Sequence, residues 1–168
     1  MKVAVYPGSF DPITFGHLDV VCRAAEVFDR VVVGVLENPR KSPLLAAEHR
    51  IAIIRASVDQ HCAQAAARID IQAFTGLTVD FCHAVSAQFI IRGLRAISDF
   101  ETELQLGHAN REVAPDIDSI FFMTSLEQGY VSSSLVKEIA QFGGPIERLV
   151  PAAAAAALHA VFGRREVP

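Results

Sequence analysis

The stretch YPGSFDPITFGHLDV, from Tyr6 to Val20, follows a short apolar run and brings together residues that could hold a phosphate group. Gly8 would let the backbone approach a ligand closely, and Ser9 adds a hydroxyl group. Gly16 leaves room beside a helix, and His17 falls in the first helical turn, where free backbone N–H groups favour an anion. A histidine there can donate a hydrogen bond to a phosphate oxygen, although the pattern equally fits a strand–loop–helix turn with a capping histidine.

Cations and serines follow three further strands of the predicted sheet. Arg40 and Lys41 come after the second strand, Arg92 and Arg95 after the fourth, and the run 132–134 enters a helix after the fifth. Taken singly, each has an ordinary explanation as a solvated loop, an ion pair or a helix N-cap. Because the carboxyl ends of parallel strands meet at one edge of a sheet, the groups together predict a polyphosphate site.

The elements that would position these groups alternate between apolar strands and amphipathic helices. We predict strands at 3–6, 31–36, 69–74, 89–91 and 119–124, and helices at 17–28, 46–62, 77–86, 99–113, 133–142 and about 151–162. This order indicates a single α/β domain over residues 1–168, Rossmann-like, with a parallel five-stranded sheet and helices on both faces. Neither a GxxxxGK[ST] loop nor a GxGxxG turn is present.

The composition excludes several classes of protein. The 168 residues are 51% hydrophobic, which excludes a disordered chain, and the net charge of −4 gives no reason to expect a nucleic acid partner. The longest apolar run, 152–158, is too short to span a membrane.

Cys22, Cys62 and Cys82 are widely spaced, so we expect reduced thiols in a cytosolic protein. The other histidines lack metal-ligand spacing and are expected at the surface or as capping residues: His49, His61, His83, His108 and His159.

Four motifs occur in order along the chain: PGSFDPITFGH, NPRK, RGLRAISDFETELQ and YVSSSLVKE. They resemble the phosphopantetheine adenylyltransferases, a branch of the HxGH nucleotidyltransferase superfamily, and the similarity extends from Val3 to about Pro151. Thr14 stands where the superfamily has its first histidine, which is typical of the phosphopantetheine branch rather than of nicotinamide-mononucleotide or cytidylyl enzymes.

The resemblance implies that ATP and 4′-phosphopantetheine react to give dephospho-coenzyme A and pyrophosphate. It implies Mg²⁺ as cofactor, bound mainly through the ATP phosphates rather than by a metal site of the protein. It also implies a cytoplasmic homohexamer and suggests feedback by coenzyme A. Two alternatives stay open: an adenylyltransferase with another acceptor, such as nicotinamide mononucleotide, and a non-enzymatic module that senses ATP.

The matching motif positions imply a role for each site residue. His17 would stabilise the transition state, and Lys41 would contact the acceptor phosphate. The ATP site would comprise Ser9, Phe10, His17, Gly93, Leu94, Arg95, Glu103, Gln128, Gly129, Tyr130, Val131, Ser132, Ser133 and Ser134. The phosphopantetheine site would comprise Ser9, Lys41, Thr78 and Arg92. This chain departs from the family pattern at Thr78, at 127–130 and after Lys41, which leaves the packing of adenine and of the pantetheine arm open.

Overall fold

The computed structural model describes residues 1–38, 42–95 and 97–163. Its strands are β1 (Val3–Gly8), β2 (Arg30–Leu36), β3 (Ile69–Phe74), β4 (Phe89–Leu94) and β5 (Asp118–Met123). Its helices are α1 (Phe15–Val27), α2 (Ala47–His61), α3 (Thr78–Ala84), α4 (Ile97–Val113), α5 (Ser133–Gln141) and α6 (Ala152–Phe162). The five strands form one parallel sheet in the order β3-β2-β1-β4-β5. The predicted α/β fold class is confirmed.

The sheet is covered on both faces because its central strands are apolar on both. Alternate residues of β1 and β2 fall into two separate core clusters. Ala4 and Val33 pack on one side with residues of α1, α2, α5 and α6. Val5 and Val32 pack on the other side with residues of α3. A buried parallel sheet therefore explains the continuous apolar runs in the sequence.

The strand order reverses at β1, which lies between β2 and β4. β1 pairs with β2 along its whole length, but its pairing with β4 covers only Ala4↔Phe89 and Val5↔Ile90. A reversal of this kind leaves a crevice outside the carboxyl ends of the two strands, which is the usual ligand position in open α/β sheets.

Two strands extend further toward this crevice than the sequence pattern predicts. β1 includes Pro7 and Gly8, and β4 includes Arg92, Gly93 and Leu94, which were expected in the following loops. Pairing with the neighbouring strands, as in Pro7↔Gly34 and Arg92↔Phe121, provides the backbone hydrogen bonds that extend them. Arg92 is consequently part of strand β4 and not of the loop that follows it.

The expectation of three reduced cysteines is wrong. Cys22 of α1 and Cys62 at the end of α2 form a disulfide, with 5.4 Å between their Cα atoms. The packing of α1 on α2 brings the two residues together from 40 positions apart, which the sequence spacing could not indicate. Cys82 is a free, buried residue of α3, as expected of a small apolar side chain. Within the described ranges, the helices are too short or too polar to cross a bilayer.

Candidate active site

A cavity of about 410 Å³ opens where the carboxyl ends of β1, β2 and β4 meet the first turn of α5. The predicted site residues that line it are Ser9, Phe10, His17, Arg92, Gly93, Arg95, Glu103, Ser132, Ser133 and Ser134. These residues come from four separate segments, and the parallel topology brings them to one edge of the sheet.

The turn after β1 is shaped by a close contact between Gly8 and Phe10. A Cβ atom on Gly8 would lie 2.9 Å from the ring of Phe10, so only glycine fits there. Phe10 itself has a φ of 46°, and its buried ring meets the rings of Tyr6 and His17 edge-on at 5.4 Å and 5.2 Å. At Gly16, by contrast, an added Cβ would lie at an ordinary 3.5 Å from Gln128. Steric demand for glycine is therefore strong at position 8 and weak at position 16.

His17 is held in one orientation by Thr14, the N-cap residue of α1. The backbone N–H of Thr14 donates to Nδ1 of His17 at 3.0 Å, and the Thr14 hydroxyl lies 3.0 Å from the same nitrogen. The backbone N–H of His17 in turn donates to the Thr14 hydroxyl at 3.4 Å, which completes a capping box. Because Nδ1 accepts a backbone hydrogen bond, the ring proton belongs on Nε2.

The charge state of His17 follows from its surroundings. Burial, aided by the positive charge of Arg95, lowers the pKa of His17 from 6.5 to about 4. The imidazole is therefore neutral at physiological pH, with Nε2–H as a hydrogen-bond donor on the wall of the cavity. Such a ring can donate to an anion without acting as an acid.

Another part of the cavity wall is charged. Arg92 of β4 donates from Nε to the Oε2 atom of Glu103 on α4, and both side chains are partly buried. The predictions placed Arg92 with the acceptor and Glu103 with ATP; the structure joins them in one ion pair. Arg95 donates to the carbonyl oxygen of Val131 at 3.2 Å. Burial raises the pKa of the neighbouring Tyr6, with Arg92 and Arg95 opposing, so its phenol remains protonated.

The serine cluster begins α5 and has structural partners. The Ser132 hydroxyl accepts the backbone N–H of Leu135 at 3.1 Å, so Ser132 is the N-cap. The Ser133 hydroxyl donates to the carbonyl oxygen of Pro12 at 2.8 Å, and Ser134 is exposed. With the N–H of Leu135 engaged by this cap, the backbone N–H groups of Ser133 and Ser134 are the ones that could face an anion in the cavity, which all three serines line.

Three charged residues of the cavity wall were missed by the sequence analysis. Arg50 is buried on α2 and donates to the carbonyl oxygens of Leu45, Ser9 and Leu36. These hydrogen bonds connect the carboxyl end of β2 to the segment after β1 at the crevice. Asp11 and Lys137 form an ion pair at 2.8 Å. A signal existed only for Lys137, which follows Ser133 by four positions and so shares its helix face.

Several predicted site residues lie away from the cavity. Thr78 begins α3 and is partly buried without lining the cavity, and the same is true of Leu94 in β4. Residues 128–131 also lie outside the cavity lining: Gln128 ends a 3-10 helix (Leu126–Gln128), and the turn after it leads to α5. Oε1 of Gln128 is buried without a hydrogen-bond partner in the described structure. Lys41, like Arg40, lies outside the described residues. Of the histidines expected at the surface, four are exposed and His159 is partly buried.

This chain is similar to known proteins over most of its length. Residues 5–139 match the sequence model of the cytidylyltransferase-like family. A Geotalea daltonii protein named phosphopantetheine adenylyltransferase is 48% identical over 164 residues, which cover 98% of this chain and 99% of the relative. A Lachnoclostridium phytofermentans protein of the same name is 49% identical over 151 residues, which cover 90% of each chain. The solved structure of nicotinic acid mononucleotide adenylyltransferase from Plasmodium falciparum shares the fold, with a TM-score of 0.68 over 92% of this chain and 93% of its own, at 14% identity.

Proposed function

This chain belongs to the cytidylyltransferase-like family and, within it, to the phosphopantetheine adenylyltransferases, and we propose how its cavity performs their reaction. The enzyme transfers the adenylyl group of ATP to 4′-phosphopantetheine and releases dephospho-coenzyme A and pyrophosphate, a step of coenzyme A biosynthesis.

The reaction joins two anions, and this sets what the protein must supply. An oxygen of the acceptor phosphate forms a bond to the α-phosphorus of ATP, and the bond from that phosphorus to the β-phosphate oxygen breaks, with its electron pair leaving on pyrophosphate. The acceptor is a phosphate monoester that is largely ionised at neutral pH, so no general base is needed. Catalysis then rests on positioning the two phosphates and stabilising the redistributed charge.

The observation that carries the proposal is the fixed, neutral tautomer of His17. Its Nδ1 accepts the backbone N–H of Thr14, which leaves Nε2–H to donate to an oxygen of the α-phosphate. The ring is oriented before substrate arrives, so no energy is lost in reorienting it during the reaction. Its hydrogen bond strengthens as charge on these oxygens is redistributed, and the transition state therefore gains more than bound ATP does.

We assign the remaining phosphates to two sides of the cavity. Arg92, oriented by Glu103, would face the acceptor phosphate together with Lys41, whose assignment rests on the NPRK motif alone. Arg95 and the first turn of α5 would hold the β- and γ-phosphates, because a helix N-terminus favours anions. The roles of Ser9 and Thr78 toward the acceptor, and of residues 128–131 toward adenine, stay predictions from the motif positions.

We propose that Mg²⁺ enters with ATP. Among the side chains that the structure describes, no group of three from His, Cys, Asp and Glu could hold a metal ion. The carboxylates on the cavity wall, Asp11 and Glu103, are engaged with Lys137 and Arg92. Phosphate oxygens of the nucleotide are therefore better placed to be its ligands.

We also propose a homohexamer, and feedback by coenzyme A stays an expectation from the resemblance. The exposed apolar side chains Phe100 and Leu106 on α4 and Met123 on the edge strand β5 give a surface that another copy could cover. Light scattering should give six times the 18.2 kDa of the chain. A smaller mass at micromolar concentration would contradict the hexamer.

A cytoplasmic location remains our proposal because ATP is available there. The Cys22–Cys62 disulfide would have to persist in that compartment, where most thiols are kept reduced. Fractionation of cells that express the protein tests the location: recovery with cytoplasmic markers would support it, and recovery with periplasmic or envelope markers would contradict it.

The reaction is tested by pyrophosphate release from purified protein with a panel of substrates. We expect turnover with ATP, Mg²⁺ and 4′-phosphopantetheine, and little with CTP or with nicotinamide mononucleotide as acceptor. Turnover of nicotinamide mononucleotide without turnover of phosphopantetheine would assign the protein to a different acceptor. Binding of ATP without turnover of any acceptor would indicate the nucleotide-sensing alternative.

A further inference from the structure

The carboxylate of Asp11 connects three segments of the chain: its own turn after β1, the segment at Leu44 and Leu45, and helix α5. It is almost fully buried in the turn after β1, and it receives three hydrogen-bond donors. The backbone N–H groups of Leu44 and Leu45 donate to Oδ2 and Oδ1 at 2.9 Å each. The ammonium group of Lys137, on α5, donates to Oδ2 at 2.8 Å.

These contacts keep Asp11 charged. Burial by itself would raise the pKa of Asp11, but the hydrogen bonds from Lys137, Leu44 and Leu45 outweigh it and leave the pKa below its ordinary value. Both oxygens of this buried carboxylate thus accept hydrogen bonds. Loss of the charge on Asp11 or on Lys137 would leave the other charge without its ion-pair partner.

Two of the three segments belong to opposite sides of the proposed reaction. Leu44 follows Lys41 by three positions, so Asp11 anchors the chain directly after the NPRK motif assigned to the acceptor. Lys137 and Ser133 lie one helical turn apart on α5, and Ser133 donates to the carbonyl oxygen of Pro12, next to Asp11. The turn at Asp11 and Pro12 therefore fixes the helix start assigned to the outer phosphates of ATP.

We propose that Asp11 and Lys137 form a positioning pair, which fixes the position of the acceptor side of the cavity relative to the nucleotide side. The inference rests on the adenylyl transfer proposed above. Attack of one phosphate on another requires near-contact geometry, and a displacement of about 1 Å can cost about 10²-fold in rate. Lys137 is 30% exposed and lines the cavity, so the pair is part of the cavity wall.

The test compares Asp11→Asn and Lys137→Met with a matched control. Asparagine keeps the size of Asp11 but lacks its charge and can no longer accept all three donors. The control is Asp70→Asn, since Asp70 pairs with Arg30 at 2.6 Å at the amino ends of β2 and β3, away from the cavity. For each variant, kcat and KM for both substrates, ATP affinity by calorimetry and thermal unfolding are measured.

We expect Asp11→Asn and Lys137→Met to lower kcat about 10- to 100-fold, while ATP affinity and both KM values change less than about threefold. Lys137→Arg should restore most of the kcat lost in Lys137→Met, because it returns the charge. Asp70→Asn should keep the parent kcat.

A purely structural pair would instead reduce the melting temperature and leave kcat per folded molecule intact, which would overturn the inference. If Asp11→Asn does not fold, Lys137→Met and Lys137→Arg decide, since Asp11 keeps its backbone contacts in both. Unchanged kcat in these variants, with an active parent, would overturn the positioning pair alone. A parent without turnover of any acceptor would overturn the proposed function as well.

Discussion

The two sides of the cavity are built in different ways. On the α1 side, His17 is oriented by Thr14, three residues away, and by contact with Phe10, so the arrangement is local and uncharged. On the β4 side, Arg92 meets Glu103 across two elements, and Arg95 reaches Val131, 36 residues later. The group that we propose to act on the transition state is thus neutral and locally held, while the groups that we propose to bind substrate phosphates are charged and held by tertiary contacts.

Removal of the His17 ring should have the largest effect. His17→Ala should lower kcat by about 10²–10³, or about 2.7–4 kcal/mol, which is the usual loss for one preorganised donor. ATP affinity should change little, because the ring acts mainly in the transition state. Steady-state kinetics and calorimetry measure the two quantities. His83→Ala, which removes an exposed histidine on α3, is the control. Equal kcat in the two variants would show that His17 begins the helix without contributing to turnover.

The neutral state of His17 predicts how stability depends on pH. Because the folded pKa of about 4 lies below the unfolded value of 6.5, the unfolded chain binds more protons between these values. The free energy of unfolding should therefore be fully developed above pH 6.5 and fall as the pH decreases toward 4, by about 3 kcal/mol at most. Urea titrations from pH 4 to 7 measure the slope.

Matched titrations of His17→Gln isolate the contribution of His17, since glutamine does not titrate. Asp11, whose folded pKa is also lowered from its ordinary 3.8, contributes to the slope near pH 4 in both proteins, so its contribution cancels in the comparison. An identical slope in the parent and in His17→Gln would contradict the assignment of a depressed pKa to this ring.

Loss of a charge on the β4 side should act on binding rather than on turnover. Arg92→Ala should raise KM for 4′-phosphopantetheine by about 10- to 100-fold, since a charge-assisted hydrogen bond contributes about 1.5–3 kcal/mol. ATP affinity should change less. Glu103→Gln keeps Arg92 but removes its ion-pair partner, and a smaller increase in KM is expected. If ATP binding were lost while acceptor use survived, Arg92 would belong with ATP and not with the acceptor.

The smallest effect is expected from the Thr14 cap. Thr14→Val keeps the backbone N–H that orients His17 but removes the hydroxyl that caps α1, which should lower the free energy of unfolding by about 1 kcal/mol. The kcat should stay within about threefold of the parent. Ser132→Ala, at the N-cap of α5, gives a comparable loss of stability for reference. A large loss of kcat in Thr14→Val would show that the hydroxyl, and not the backbone, orients the ring.

Much of the fold was predictable because hydrophobic periodicity and strand–helix alternation are local properties. The five strands and six helices occur where predicted, and β3 agrees at both ends. The ends of β1 and β4 were not predictable, because a strand is extended by pairing with a neighbour whose register no local pattern shows. This is why Arg92 belongs to a strand and not to a loop.

By itself, the sequence determined that most of the residues predicted to bind phosphate lie at one edge of a parallel sheet, since motif order and topology suffice for that conclusion. Only the tertiary structure decided which partner each side chain takes. Asp11 and Lys137 are 126 positions apart, and Cys22 and Cys62 are 40 positions apart, so no local sequence pattern predicts either contact. Such pairs form because helices pack on a shared sheet, and the packing of distant segments depends on the whole core.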